Sequence, residues 1–313
     1  MDVSNYIKYL FVCLAVSVSA AYAAEPVFVP REVAPGVYAI VGDLAGQTYE
    51  NEGQNSNLGF IVTTEGVIAI NTGASARAAK ALHVAIKAKT DKPVKWAINV
   101  NSQPHYWMGN SYFKSIGARI LAHKEADRIM REAGAGQLER TKETLKERAA
   151  DTALAYPDVL FADKHVIKLG GREAQVLHFG PAHTPGDAVI WLPKEKVLFS
   201  GDIIYTERML AVIPISQSGS WVTAFDQAAA LKPTVIVPGH GAPTDLGRSK
   251  KETRGYLVDM RSQVKKKQDE FMGLQDVVDT VDQSTYKYLA NFDLLARRNV
   301  NQIYLELERE AFK

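Results

Sequence analysis

The sequence predicts an α/β fold in which two mixed sheets pack face to face with helices on their outer faces, followed by a C-terminal helical extension. Ten short strand-like runs alternate with helical patterns up to about residue 245, in two groups that are each followed by helices. After Asp245 the composition shifts to Lys, Arg, Glu, Asp and Gln, with apolar residues at helical spacing. These observations divide the chain into a sandwich and a helical extension.

The predicted strands are short, and many are closed by Gly, Pro or Asn. They cover residues 36–41, 57–63, 67–71, 94–99, 118–122, 165–169, 174–179, 188–192, 196–200 and 234–238. The predicted helices cover residues 74–89, 124–132, 137–153 and 222–231. In the first helix, Ala78, Leu82, Ala85 and Ile86 share one face, which indicates packing against a sheet.

The N-terminus has the pattern of a secretory signal peptide over residues 1–23. Lys8 supplies a positive charge, residues 9–18 form a short apolar run, and Ala21-Tyr22-Ala23 is an A-x-A cleavage site. The apolar run is shorter than the roughly 20 residues that span a bilayer. We therefore expect a periplasmic protein that begins near Ala24 and has no membrane association after cleavage.

The mature chain contains no cysteine, because Cys13 lies in the predicted signal peptide. Disulfides and thiolate ligands are thereby excluded, so a metal would have to be held by histidine, carboxylate or water. Lys and Arg number 37 and Asp and Glu number 35, a net charge of +2 that gives no indication of a nucleic-acid partner. A small-molecule substrate is the expected partner.

Three loops that follow predicted strands each carry a histidine or an aspartate beside glycine. They are GPAHTPGD with His183, FSGD with Asp202 and VPGHG with His240. Glycine lets the backbone turn tightly, so that each side chain reaches a shared point. One such histidine would be an ordinary loop residue, but three such loops in succession indicate a common site.

With these loops, residues 56–62 (SNLGFIV) and 66–73, the chain resembles the metallo-β-lactamase superfamily over about residues 33–245. The resemblance implies a four-layer αβ/βα sandwich with metals at the sheet edges, over residues 24–247, and leaves residues 248–313 as the helical extension. The insertion around residues 124–153 and the segment RNVNQIYLELE resemble the secreted branch associated with sulfur-oxidation and quinoprotein-relay clusters.

The family's H-x-H-x-D-H motif is degenerate in this chain. Alignment on INVNSQPHYWMGN places Asn101 and Gln103 at the first two histidines, His105 at the aspartate and Tyr106 at the last histidine. Asn71, in INTG, stands where the family usually has an aspartate. Five positions that would carry charged or ligating groups have therefore changed.

The resemblance implies two metal sites, which these changes affect differently. The first would use Asn101, Gln103 and His183, and we expect it to be empty or very weak because neutral amides are poor zinc ligands.

The second site would use His105, Tyr106, Asp202 and His240, which retain two imidazoles and a carboxylate. We expect one divalent transition metal there, zinc with iron as the alternative, and the absence of any metal is left open. Tyr106 either adds a phenolate, which favours ferric iron, or hydrogen-bonds nearby.

Three functions follow from these patterns. The first is a hydrolase of a small ester, lactone or thioester with an altered, single-metal site, in which His105 and Asp202 are the catalytic residues. His105 moves a proton but lacks the negative charge of the family aspartate, so ordinary two-zinc hydrolysis is not expected. The second is an inactive binding or accessory protein of a periplasmic oxidation pathway, with a protein of that pathway as partner. The third is a redox protein with a two-histidine, one-carboxylate site.

The substrate pocket is predicted from aromatic and apolar residues near the motifs, namely Trp107, Met108, Tyr205 and Trp221. A pocket lined by these side chains would suit a hydrophobic or ring-bearing ligand, and the same residues would equally suit a protein core. The helical extension packs on the sandwich or on a partner chain, and the oligomeric state is not readable from the sequence.

Overall fold

The computed structural model describes residues 26–312, so the predicted signal peptide and its cleavage site lie outside the described residues. Within that range the chain forms twelve strands. They are β1 (Arg31–Ala34), β2 (Val37–Ile40), β3 (Leu58–Val62), β4 (Val67–Ile70), β5 (Val94–Asn99), β6 (Arg119–His123), β7 (Val159–Phe161), β8 (Lys164–Leu169), β9 (Arg172–Leu177), β10 (Val189–Leu192), β11 (Val197–Tyr205) and β12 (Val235–His240).

The same residues contain nine α-helices. They are α1 (Ala76–Lys87), α2 (Pro104–Trp107), α3 (Asn110–Ser115), α4 (Lys124–Leu145), α5 (Ser218–Ala230), α6 (Leu246–Ser249), α7 (Tyr256–Asp269), α8 (Leu274–Thr280) and α9 (Phe292–Ala311). The segment Lys250–Gly255 joins α6 to α7 as a π-helix.

The strands form two mixed sheets, as the sequence predicts. The first has the order β1-β2-β3-β4-β5-β6-β7, antiparallel from β1 to β4 and parallel from β4 to β7. The second has the order β12-β11-β10-β9-β8 and is antiparallel except for the pair of β11 and β12. In that parallel pair Tyr205 lies opposite His240, so the ends of the two strands reach the same edge of the sheet.

Two strands were not predicted from the sequence, and both are at the edges of the first sheet. β1 is half-buried or exposed along its length, and β7 has only three residues. An edge strand needs little apolar surface, so neither shows the alternation by which a buried strand is recognised.

The core has the layers expected of a sandwich. Ile61 of the first sheet and Ile190 of the second belong to one cluster between the sheets. Leu82 of α1 covers the outer face of the first sheet, and Trp221 of α5 belongs to the cluster over the second. The predicted αβ/βα sandwich is therefore confirmed, including the buried face of α1.

The structure joins the two helices predicted at 124–132 and 137–153 into the single helix α4, which ends at Leu145. Gly134 lies where the sequence left a break, and the helix continues through it. A Cβ atom at Gly134 would lie 3.1 Å from the ring of Trp107, so this glycine permits close packing of α4 on the residues below it.

The residue that begins α4 is His123. Its Nδ1 accepts a hydrogen bond from the backbone N–H of Glu125 at 3.2 Å, and its ring stacks on His178 with centroids 3.9 Å apart. Burial, and then the neighbouring His178, lower the pKa of His123 to about 4. The neutral imidazole is therefore the form that caps the helix, because a protonated Nδ1 is no longer an acceptor.

We expect stability to fall as the pH falls from about 6.5 to about 4, because over that range the unfolded chain takes up a proton that folded His123 does not. His123→Asn retains a cap acceptor and does not titrate. This variant should be less stable at pH 7, since it loses the stacking on His178, yet it should lose less stability on acidification. Urea unfolding at several pH values measures both effects, and identical pH slopes in the two proteins would contradict this account.

The C-terminal extension packs on the second sheet of its own sandwich. Tyr256 and Met260 of α7 and Ile303 of α9 join the hydrophobic cluster that covers that sheet. The hydroxyl of Thr253 accepts a hydrogen bond from the backbone N–H of Tyr205 and donates one to its carbonyl oxygen. The extension therefore shares a core with the sandwich and contacts the strand that ends near the sequence-predicted site.

In residues 26–312, no helix is both long enough and apolar enough to cross a membrane.

Candidate metal centre

Three potential metal ligands converge at the edge where the two sheets meet. Donor atoms of His105, Asp202 and His240 all lie within 4.8 Å of one another, and all three residues are buried. His105 lies in the first turn of α2, where Pro104 at the first helical position suits a helix start. A Cβ atom at Gly239 would lie 2.5 Å from Oδ1 of Asp202, so glycine is required there for the carboxylate to fit.

The carboxylate of Asp202 is held by donors on both oxygens. The hydroxyl of Tyr106 donates to Oδ1 at 2.6 Å, and the side-chain amide of Asn101 donates to Oδ2 at 2.8 Å. Burial by itself would raise the pKa of Asp202. The hydrogen bond from His240 acts in the opposite direction, and the pKa lies well below its usual range, so Asp202 is an anion at neutral pH.

His240 has two alternative hydrogen-bonding arrangements. Its Nε2 lies 3.3 Å from Oδ1 of Asp202, while its Nδ1 lies 2.5 Å from the carbonyl oxygen of Asn55 and 3.0 Å from Nη1 of Arg208. Nδ1 either donates to Asn55 or accepts from Arg208, and only the first tautomer leaves the Nε2 lone pair free for a metal. The ring stacks on Tyr205 with centroids 4.6 Å apart, which keeps Nε2 directed toward Asp202.

His105 has the fewest hydrogen bonds of the three potential ligands. Neither ring nitrogen has a hydrogen-bond partner within the described residues, although the side chain is buried. Burial, followed by the proximity of His240, lowers the pKa of His105 well below its ordinary value, so its imidazole is neutral and offers a lone pair. Buried ring nitrogens without partners are uncommon, and two imidazoles with one carboxylate are a common ligand set for a divalent transition metal. The residues therefore fit a metal.

His183 lies next to this group without belonging to it. Its Nε2 is 3.8 Å from Oδ2 of Asp202, and its Nδ1 lies 2.8 Å from the carbonyl oxygen of Ala211. Since a carbonyl only accepts, Nδ1 carries the proton and Nε2 carries the lone pair. The structure thus brings together three of the four sequence-predicted ligands and places the fourth beside the carboxylate, so ligation by His183 stays a prediction.

The altered motif residues act as hydrogen-bonding groups. Asn101 directs its amide nitrogen at Asp202, and its Oδ1 accepts from the backbone N–H of Gln103, which is half-buried. Asn71, with a left-handed φ of 60°, donates to the carbonyl oxygen of Asn57 and accepts from the backbone N–H of Val100. These amides hold neighbouring groups in place and point no free lone pair at Asp202.

Sequence reasoning did not select two residues that adjoin the centre. Asp187 accepts from the backbone N–H and the hydroxyl of Thr184, and burial followed by the charge of Asp202 raises the pKa of Asp187 to about 8. Arg208 is buried against His240. Asp187 could have been found from its position in the GPAHTPGD loop, whereas no local pattern distinguishes Arg208 from other arginines.

The four residues predicted to line a substrate pocket are all buried. The indole of Trp107 donates to Gln137 at 2.9 Å, and Met108 lies in the same small apolar cluster. Tyr205 and Trp221 belong to the core over the second sheet. A contact between these residues and a substrate stays a prediction that requires the protein to open around them.

The sequence profile of the metallo-beta-lactamase superfamily matches residues 52–240. The metallo-beta-lactamase type 2 of Bacteroides fragilis is 27% identical over 145 residues, which are 43% of this chain and 57% of that enzyme. The linear primary-alkylsulfatase of a Pseudomonas sp. is 23% identical over 289 residues, covering 78% of this chain and 54% of that enzyme. The chain therefore spans little more than half the length of these two relatives.

Solved structures show the same fold. The metallo-beta-lactamase from Pontibacter korlensis superposes with a TM-score of 0.61 at 21% identity, over 74% of this chain and 99% of that one. The profile match covers more than half of the chain and ends at the donor residue His240. On these grounds the chain belongs to the metallo-beta-lactamase superfamily.

Proposed function

We propose that this protein is a periplasmic hydrolase of small esters, lactones or thioesters that uses one divalent metal held by His105, Asp202 and His240. The insertion in α4 and the segment at 298–308 support its assignment to the secreted branch associated with sulfur-oxidation and quinoprotein-relay clusters. Similarity to the alkylsulfatase adds sulfate esters to the substrates that should be tested.

The observation that carries the proposal is the state of His105. Among residues 26–312 both of its ring nitrogens are buried without hydrogen-bond partners, and one of them lies within 4.8 Å of donor atoms of a carboxylate and a second imidazole. A protein that kept this group only for packing would gain by pairing or replacing the histidine, because an unsatisfied buried nitrogen costs about 1–3 kcal/mol. Ligation of a metal satisfies it directly.

A single ion is favoured over a pair. Asn101 presents an N–H to Asp202, and its oxygen is already used by the backbone of Gln103. Neither group of that amide is therefore free to complete a first metal site with His183. Zinc suits the remaining set because it accepts three protein ligands and an open position, and ferrous iron accepts the same set.

The surroundings of Tyr106 favour a hydrogen-bonding role for its hydroxyl over ligation of the metal as a phenolate. Burial, and then the charge of Asp202, raise the pKa of Tyr106 well above its ordinary value. The phenol therefore keeps its proton and donates a hydrogen bond to the Asp202 carboxylate.

A bound divalent ion would supply the Lewis acidity needed to activate an ester-like bond. The protein's own groups would orient the site and move protons. Tyr106 and Asn101 fix the orientation of the Asp202 carboxylate, as outer partners of a ligand do. The Nε2 lone pair of His183, 3.8 Å from that carboxylate, is placed to accept a proton during the reaction.

The test is a comparison of wild type with His105→Gln. We expect wild type to hold one metal per chain and to hydrolyse at least one of phenyl acetate, γ-butyrolactone, a short acyl thioester or an alkyl sulfate. His105→Gln should lose both the metal and the hydrolysis, since the buried amide is a poor substitute for imidazole. His165→Gln, which changes a half-buried histidine on β8, is the control and should retain both. A metal-loaded wild type that hydrolyses none of the four, or an active His105→Gln, would contradict the proposal.

A further inference from the structure

A cavity of about 310 Å³ lies against the start of α2, the short helix that carries His105. Its walls are the 47–53 part of the loop between β2 and β3, the start of α2 and one face of α4. The residues that define it are Gln47, Pro104, Gln137, Arg140, Thr141 and Leu145. Because Pro104 directly precedes His105, the wall of the cavity and the metal-ligand group share the short helix α2.

The lining carries unused polar groups. The exposed side chain of Arg140 forms no hydrogen bond or ion pair with any residue of the 26–312 range, although Arg128 and Arg131 on the same helix are both paired with carboxylates. Thr141 is only 6% exposed, and across the same range its hydroxyl also lacks a hydrogen-bond partner. An exposed guanidinium and the hydroxyl of a nearly buried threonine are thus left available to a ligand in the cavity.

The walls are held in place by hydrogen bonds. Gln137 accepts from the indole of Trp107 at 2.9 Å and donates to the carbonyl oxygen of Ser102 at 3.0 Å. On the opposite side, Gln47 donates to the carbonyl oxygen of Gly53 at 3.1 Å. The cavity is therefore preformed, and a ligand that enters it loses little affinity to the ordering of the protein.

We infer that this cavity is the substrate-recognition site of the proposed hydrolase, and that it takes a carboxylate or sulfate group of the substrate. A guanidinium with a neighbouring hydroxyl binds an oxyanion through charge-assisted hydrogen bonds. The volume is at the small end of the roughly 300–1,000 Å³ of ligand pockets, which indicates a small substrate. The inference rests on the proposed function, which identifies the bond that is hydrolysed. It assigns a small anionic substrate, whereas the aromatic residues in the sequence suggested a hydrophobic one.

The test measures binding by calorimetry at constant ionic strength, with the protein as isolated and after chelation of metal. The probes are glutarate, n-butyl sulfate and the neutral analogue glutaramide. Both anions should bind, with glutaramide weaker by about tenfold or more. Arg140→Gln should weaken anion binding by a similar factor, Arg140→Lys should restore part of it, and Thr141→Val should weaken it by a smaller factor.

Arg128→Gln is the matched control, since it removes an arginine of the same helix that lies outside the cavity lining. Tighter binding of butyl sulfate would assign a sulfate ester, and tighter binding of glutarate would assign a substrate with a carboxylate. Equal anion affinity in wild type and Arg140→Gln, or no saturable binding of either anion to wild type, would overturn the inference. If the anions still bind after chelation but none of the substrates is hydrolysed, the proposed reaction would be contradicted while the anion-binding site would be supported.

Discussion

Replacing Asp202 by alanine is expected to abolish metal binding, from one equivalent per chain to none after dialysis. Asp202 is the one carboxylate in the group of three, and the two remaining neutral imidazoles supply no negative charge to retain a divalent ion. The variant should also be less stable, because Tyr106 and Asn101 lose their shared acceptor at a cost of about 1–3 kcal/mol for each unpaired group. Elemental analysis and urea unfolding measure the two effects.

Two further variants separate charge from packing at this position. Asp202→Asn keeps an oxygen acceptor for Tyr106 without the charge, so it should lose the metal with a smaller loss of stability. Asp187→Asn should keep the metal, because the raised pKa of about 8 leaves Asp187 largely protonated at neutral pH and it lies outside the group of three. Metal retained by Asp202→Ala, or two equivalents in wild type, would show that the single-ion account is wrong.

Alanine at Asn299 is expected to destabilise the protein by about 3 kcal/mol, within the range for several buried groups left unpaired. Asn299 is fully buried in α9. Its side chain accepts from the backbone N–H of Val212 at 2.8 Å, donates to the carbonyl oxygen of Leu210 at 2.8 Å and donates to the hydroxyl of Tyr256 at 3.0 Å. Urea unfolding gives the loss.

Asn299→Ala should also change the tautomer of His183, because the backbone segment that Asn299 binds also contacts His183. Asn299 binds the backbone of Leu210 and Val212, and Ala211 lies between them. The carbonyl oxygen of Ala211 accepts a hydrogen bond from the Nδ1–H of His183. In nitrogen-15 spectra of histidine-labelled protein, the Nδ1–H tautomer of His183 should lose population in Asn299→Ala. Met130→Ala is the control, since truncation of this buried methionine, which lies in α4 and in a separate hydrophobic cluster, costs about 2–5 kcal/mol. If both variants leave the His183 signals unchanged, Asn299 has only a structural role.

Asn299, which holds the backbone on both sides of Ala211, lies outside the family match, which ends at residue 240. The sequence predicted helices in this extension from their apolar spacing and singled out the segment that contains Asn299. It left open whether the helices pack on the sandwich or on a partner. An asparagine in a helix gives no local signal that its side chain will bind the backbone of a loop 87 residues away, so this contact was not predictable.

The sequence by itself predicted two mixed sheets packed face to face and the buried face of α1, from hydrophobic periodicity, and it indicated a common site for His183, Asp202 and His240 from their glycine-lined loops. The placement of His105 beside Asp202 and His240 came from the resemblance to the family's H-x-H-x-D-H motif. From the same resemblance, and because neutral amides are poor zinc ligands, we predicted that a metal site using Asn101, Gln103 and His183 would be empty or very weak.

Only the tertiary structure decided how each polar atom is used. The amide nitrogen of Asn101 faces Asp202, and His183 is fixed as one tautomer by Ala211. The side chain of Arg140 lines a polar cavity and has no partner in the described part of the chain. Hydrogen-bond direction and tautomer depend on which partner stands opposite, and these partners come from elements far apart in the sequence. A short stretch of sequence therefore does not predict hydrogen-bond direction or tautomer, because these long-range contacts form only when the layers pack.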